Sequence, residues 1–150
     1  MRFRDSARIC AGNMVPHHTK QDRRFYMNSK RHVLFLEYPK CTTCKKARKW
    51  LQEQGVDFED RDIKEKNPTA EELKIWYQRS GLPLKRFFNT SGLLYKSMQL
   101  KDRLLTMSEE EQIALLATDG MLVKRPLLIS EDGVLVGFKE AEWEKILPST

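Results

Sequence analysis

Six residues, "VLFLEY" (Val33–Tyr38), constrain this chain most. Five of the six are apolar, the run is too short for a helix, and Pro39 ends it, which is the pattern of a buried strand. Residues 42–54 then read as a helix. Ala47, Trp50, Leu51 and Gln54 recur at three- and four-residue steps, and Gly55 closes the run. "VDFEDRDI" (56–63) alternates like a second strand. Strand, helix and strand within about 30 residues make a unit suited to a right-handed parallel crossover.

The middle of the chain reads as helical. Thr69 and Glu72 have the spacing of a capping box, opening "ELKIWYQRSG", which Gly81 stops. "LKRFFN" (84–89) and "LKDRLL" (100–105) are short predicted helices, with "SGLLYKSM" between them as a loop. Ser108 and Glu111 form a second capping box, opening a helix that is expected to reach Asp119–Gly120. The end turns to β: "RPLLIS" (125–130) as a strand just after Pro126, "EDG" (131–133) as a hairpin turn, and "VLVGF" (134–138) as its partner. "KEAEWEKIL" (139–147) is a last amphipathic helix. The order β-α-β, helices, β-β-α predicts an α/β domain: one four-stranded mixed sheet flanked by helices, with a helical insertion between its two halves.

The chain has 150 residues, enough for one domain with a real core. No apolar run approaches the roughly 18 residues of a membrane span. The formal net charge of +6 is unevenly spread. Residues 1–31 hold eight Lys/Arg against two acids, and the remainder holds 19 of each. The expected domain, 31–150, thus follows a basic leader, 1–30, and has no overall footprint for nucleic acid. The leader shows neither helical nor alternating period and lacks the apolar stretch of a secretory signal. We expect 1–27 to be disordered or an upstream-start extension, since Met27 sits just before the first strand. An Arg-rich, acid-poor segment also fits a transit peptide. The basic and aromatic residues of "IWYQRSGLPLKRFF" read as core packing by Trp76, Phe87 and Phe88, with Lys85 and Arg86 in solvent.

Three cysteines are present, Cys10, Cys41 and Cys44. A single C-x-x-C pair suits a cytoplasmic protein better than a secreted disulfide scaffold. The pair in "YPKCTTCKKARKWL" falls where the first strand hands over to the first helix. A zinc clamp needs about four ligands, whereas the body supplies two cysteines and His32. Cys10 with His17 and His18 lies in the leader. A structural disulfide closing so short a loop gains little loop entropy. Two inert thiols and a working redox couple are the remaining readings. For the couple, first-turn amides can donate to a Cys41 thiolate. Bringing a thiol from about 8.5 to about 6.5 takes roughly 2.7 kcal/mol, and a helix dipole supplies about 0.3–1, up to about 2 when partly buried. A cation or direct amide bonds must add the rest. Lys40 and Lys45 are local candidates and Arg125 a distant one. Cys44, one turn on, is placed to attack an oxidised sulfur at Cys41.

These residues carry a resemblance. "YPKCTTCKKARKWLQEQGVDFEDRDI", "SGLPLKRFFNTSG", "MLVKRPLLI" and "VLVGFKEAEW" resemble, in order and spacing over about residues 32–147, the arsenate reductase (ArsC)/Spx family. These are glutaredoxin-related proteins of thioredoxin-like fold. The resemblance implies that Cys41 is the redox nucleophile and Cys44 the resolving thiol. It also implies that Pro126 is a cis-proline facing the cysteine loop, and that Arg125 points into the site. It implies no bound cofactor or metal and an external thiol donor, thioredoxin or glutathione/glutaredoxin. The expected reaction is reduction of arsenate or of protein and low-molecular-weight disulfides, with no direct nucleic-acid or membrane contact. Departures from the arsenate reductase pattern are Phe138 and Lys139 where an arginine would stand, and Arg86 and Asn89 in "LKRFFNTSG" as unequal substitutes for another. The paired cysteines resemble the Spx branch, whose members bind the RNA polymerase α subunit and sense oxidation. Spx proteins typically continue with a charged tail, whereas this sequence ends three residues after Leu147, so the enzyme is the expected reading.

Removal of residues 1–26 is expected to leave fold and redox chemistry intact. Thermal unfolding of the truncated protein checks this, and a large fall in Tm would contradict it.

Overall fold

The computed structural model describes residues 32–147. The expected leader, with Cys10, His17 and His18, lies outside these residues. The four strands are β1 (Leu34–Glu37), β2 (Glu59–Asp62), β3 (Leu127–Ser130) and β4 (Gly133–Val136). They form one sheet in the order β2-β1-β3-β4. β1 runs parallel to β2 and antiparallel to β3, and β3 and β4 form the hairpin. This is the thioredoxin-like sheet that the resemblance implied.

The side-chain period of two divides the strands between two cores. Phe35, Leu128 and Leu135 face one way, and there meet Ala47, Trp50 and Leu51 of helix α1 (Thr42–Glu53). Trp143 of the last helix, α6 (Glu140–Ile146), completes that layer. Trp143 meets Trp50, Phe35 and Phe138 edge-on at 5.9, 6.2 and 5.0 Å, and its indole N–H donates to the Gly137 carbonyl at 3.0 Å. Leu36, Leu127, Ile129, Val134 and Val136 face the other way, onto the helical insertion. β2 is an edge strand of charged residues, "EDRD", the kind of sequence that discourages further pairing.

The insertion contains α2 (Ala70–Ser80), α3 (Leu93–Ser97), α4 (Leu100–Arg103) and α5 (Glu109–Leu116). Both capping boxes form: the Glu72 amide donates to Thr69 Oγ1, the Glu111 amide to Ser108 Oγ, and each glutamate accepts from its cap amide in return. Gly81 ends α2 with φ of 66°. Trp76, Phe87 and Phe88 are buried, as the packing reading required.

Several elements differ from those expected. "SGLLYKSM" contains a helix rather than a loop. Gly92 caps α3, and Tyr95 anchors it by turning inward against Phe88 at 6.3 Å. With only Tyr95 fully buried and Leu94 beside it partly so, the five residues leave no period to read. Residues 84–89 make only a 3-10 turn, Leu84–Phe87, because Phe88 leaves it to bridge Val123. α5 stops at Leu116, and a separate 3-10 turn, Gly120–Leu122, follows, its Met121 amide held by Asp119 Oδ1 at 2.8 Å. The second strand is confined to Glu59–Asp62, the four residues that pair with β1.

That 3-10 turn packs so closely on the end of β2 that a Cβ at Gly120 would lie 1.8 Å from the Ile63 carbonyl oxygen. Gly120→Ala must therefore move backbone, and is expected to cost about 3 kcal/mol, the upper end of overpacking costs. Gly81→Ala meets no neighbour within 4 Å and carries only the strain of its positive φ, about 1–2 kcal/mol. Denaturant unfolding of the two variants should preserve that order.

Candidate active site

The β1–β3 pairing builds the site. Leu34 faces Ile129, Phe35 faces Leu128, and Leu36 faces Leu127. Two further steps along the same register set Tyr38 opposite Arg125. Their side chains do meet: the guanidinium carbon lies 5.1 Å from the Tyr38 ring centroid. The Arg125–Pro126 peptide is cis. Beyond Tyr38 the chain turns at Pro39–Lys40, and the Cys41 amide donates back to the Tyr38 carbonyl at 2.9 Å.

Cys41 is the N-cap residue of α1, with extended backbone and no side-chain cap bond. It is half-buried, whereas Cys44, one turn further on, is wholly buried. Burial pushes the Cys41 thiol up, but opposing influences win. The backbone of Cys44, the Cys44 thiol, the backbone of Thr43 and the charge of Arg125 together hold it below the ordinary thiol range. Direct donors at the helix start thus outrank the cation. Of the cations weighed from the sequence, Arg125 acts on the sulfur. Cys44 goes the opposite way. Burial, the largest influence, drives it up to about 12, helped by its bond to Cys41 and the Cys41 charge; the Tyr38 backbone, second in size, and Arg125 pull the other way without offsetting it.

Cys41 opens into a cleft of about 600 Å³, within the usual range for small-molecule sites. Thr43, Asn89, Ser91, Lys124 and Arg125 supply its polar groups, and Leu93, Leu94 and Met121 its apolar ones. No acidic residue is among its described lining. The segments meet through backbone bonds: the Asn89 amide donates to the Leu122 carbonyl, and the Lys124 amide to the Phe87 carbonyl, each at 2.7 Å. The four site residues named from the sequence, Cys41, Cys44, Arg125 and Pro126, therefore gather at one end of β1 and β3. Asn89 lines the cleft, whereas Arg86 does not. Phe138 instead packs on Trp50 and Trp143, and Lys139 pairs with Glu142.

Thr43, Ser91, Met121 and Lys124 were not singled out by sequence reasoning. Thr43 and Lys124 each adjoin a motif residue, which was a usable signal. Ser91 and Met121 are brought in by the bridge between Phe88 and Val123, which no local pattern announces. Among the described residues, no cluster of three or more His, Cys, Asp or Glu side chains could hold a metal ion. His32 meets Glu59 at 3.1 Å. No described helix is long and apolar enough to cross a membrane.

Fold and site define a thioredoxin-like protein with an unequal pair of thiols beside a cationic cleft. The ArsC family model matches residues 36–146, and the chain belongs to the ArsC family. It is 54% identical over 113 residues to the Bacillus subtilis (strain 168) protein YusI, covering 75% of this chain and 96% of that one. A solved ArsC-family-related protein from Bacteroides fragilis is 60% identical, with a TM-score of 0.74 and coverage of 76% and 96%. The global transcriptional regulator Spx of Enterococcus faecalis (strain ATCC 700802 / V583) is 30% identical over 110 residues, covering 73% and 82%. The solved arsenate reductase of Vibrio cholerae is 25% identical, with a TM-score of 0.67 and coverage of 80% and 98%.

At pH 7 a thiol near pKa 12 is ionised to roughly one part in 10⁵. Iodoacetamide is therefore expected to alkylate Cys41 before Cys44 at every pH up to about 9. The Cys41 rate should rise to a plateau at a pH below that of a free thiol. Peptide-resolved mass spectrometry of partly alkylated protein checks the order.

Proposed function

We propose that this protein is a thiol–disulfide oxidoreductase in which Cys41 is the nucleophile and Cys44 the resolving thiol. The observation that carries this reading is the inequality of the pair: an accessible sulfur held towards thiolate at a helix start, and a buried, protonated sulfur one turn away. A couple needs that inequality, because two equally reactive thiols would compete for the first attack.

With a disulfide R–S–S–R′, the Cys41 thiolate forms a bond to one sulfur and expels R′S⁻. Cys44 then loses its proton and attacks the Cys41 sulfur, expelling RS⁻ and closing a Cys41–Cys44 disulfide. The pair gives up two electrons and the substrate gains them. Cys44 becomes easier to ionise at that moment, because the Cys41 charge that opposed its ionisation has been consumed. With arsenate, Cys41 would displace one oxygen as water to form a Cys41–S–As bond. Attack of Cys44 on the Cys41 sulfur would return the bonding pair to arsenic and release arsenite. Arg125 and Lys124 supply charge for the oxyanion, and Arg125 also the planar donor fork that suits it. An external thiol donor, thioredoxin or glutathione/glutaredoxin, reopens the disulfide in either case.

The experiment is turnover of arsenate and of small and protein disulfides, each with thioredoxin and with glutathione. Turnover of at least one substrate, lost in Cys41→Ser, supports the reading; no turnover in any combination sinks it. Cys44→Ser should still make the first attack but accumulate mixed disulfides, visible as the mass of the added thiol. Recycling by Cys44→Ser at the parent rate would remove Cys44 from its role.

The identity with the Enterococcus faecalis Spx favours a second reading, a redox-sensing regulator that binds the RNA polymerase α subunit. Capture of the purified α subunit by the reduced or oxidised protein, without turnover, would select it.

A further inference from the structure

Arg125 lines the cleft into which Cys41 opens. A carboxylate paired with an arginine cancels part of its charge. Among the described residues, no acidic side chain forms an ion pair with Arg125. Its partners are instead the face of the Tyr38 ring and the thioether of Met121, whose Sδ lies 3.2 Å from Nη1. Both partners are uncharged. A thioether sulfur is a weak acceptor. It gives direction to an N–H without reducing the net charge of the guanidinium.

The position of Met121 is heavily specified. Its amide donates to Asp119 Oδ1 at 2.8 Å. The preceding Gly120 lies so close to the Ile63 carbonyl that no side chain fits there. The side chain of Asn67 donates to the Ala117 carbonyl at 2.6 Å, tying down the end of α5. The turn that presents Met121 is thus locked on three sides. Met121 itself is half-exposed in the cleft rather than buried in either core. Its place is therefore not accounted for by core packing.

We propose that Met121 is a positioning residue: its thioether, together with the Tyr38 ring, aims the Arg125 guanidinium at the Cys41 cleft while leaving its charge unneutralised for an anionic substrate group. This rests on the reading that Arg125 acts at Cys41. It assigns the cleft a preference for anionic over neutral substrates that is set by Met121 as well as by the cation. A leucine at 121 would fill similar space but leave Nη1 without its acceptor. A glutamate would aim the guanidinium but cancel its charge. A glutamine would supply an uncharged oxygen acceptor and so preserve both functions.

The test uses the full chain, with sulfate as an unreactive probe anion. It measures the pH dependence of Cys41 alkylation by iodoacetamide and the protection that sulfate gives, in Met121→Leu, Met121→Glu, Met121→Gln and Arg125→Ala. Met121→Leu should slow alkylation about threefold at pH values below the Cys41 pKa, by letting thiolate stabilisation fall, and should weaken sulfate protection by a similar factor. Met121→Glu should reduce protection about tenfold or more, as Arg125→Ala does. Met121→Gln should match the parent in both measurements. If Met121→Leu and Met121→Gln both match the parent while Arg125→Ala does not, the positioning role is wrong and the role of Arg125 stands. If Leu and Gln fail alike, packing rather than hydrogen bonding explains Met121, and the proposal is overturned. If Arg125→Ala changes neither measurement, the fault lies in the underlying reading of the site.

Discussion

The antiparallel pairing of β1 with β3 is the constraint on which the site depends. Its register aligns Leu36 with Leu127 and, two steps beyond, Tyr38 with Arg125. A slip of one residue would send Arg125 to the opposite face and would exchange the two cores, since Leu127 and Ile129 serve one and Leu128 the other. Stability and chemistry are therefore specified by the same hydrophobic alternation. The strands are buried for packing, and the ends of two of them deliver a cation and a helix-starting cysteine to one cleft.

Within the cleft, the effects on sulfur have a clear ranking. Burial is the largest single influence on both cysteines and disfavours ionisation of both. Cys41 escapes it because it stands before the helix, where unpaired amides and the Cys44 thiol can donate to it. Cys44 stands inside the helix, where the Tyr38 backbone bond does not offset its burial. A three-residue step at the start of one helix thus separates two chemically identical groups into a partly exposed thiol held low and a buried thiol held high. Arg125 adds to the effect without originating it. The deeper layer is secured separately, by Glu37 of β1, almost fully buried, paired with Arg48 of α1.

Much of this could be read from the amino acids. The apolar run of β1 ended by Pro39, the alternation over 56–63, the hairpin turn at 131–133, the two capping boxes and the glycine stops are local signals, and each reappears in the fold. Cys41, Cys44, Arg125 and Pro126 were named from motifs. What escaped was non-local. Ser91 and Met121 reach the cleft only because Phe88 bridges Val123, a contact across 35 residues. Helix α3 is anchored by the adjacent Leu94 and Tyr95, too short a stretch to show a period. The end of α5 was overestimated because the turn after it begins with Asp119–Gly120, which reads equally well as a helix stop and as a new cap.

The central claim is that Cys41 and Cys44 act on one another. Oxidising the full-length reduced protein with one equivalent of dipyridyl disulfide, then mapping disulfides in the monomer by mass spectrometry, tests it directly. The account predicts a Cys41–Cys44 bridge with Cys10 left free. A dominant bridge from Cys10 to either cysteine, or a stable pyridyl adduct on Cys41 that Cys44 never resolves, would contradict it.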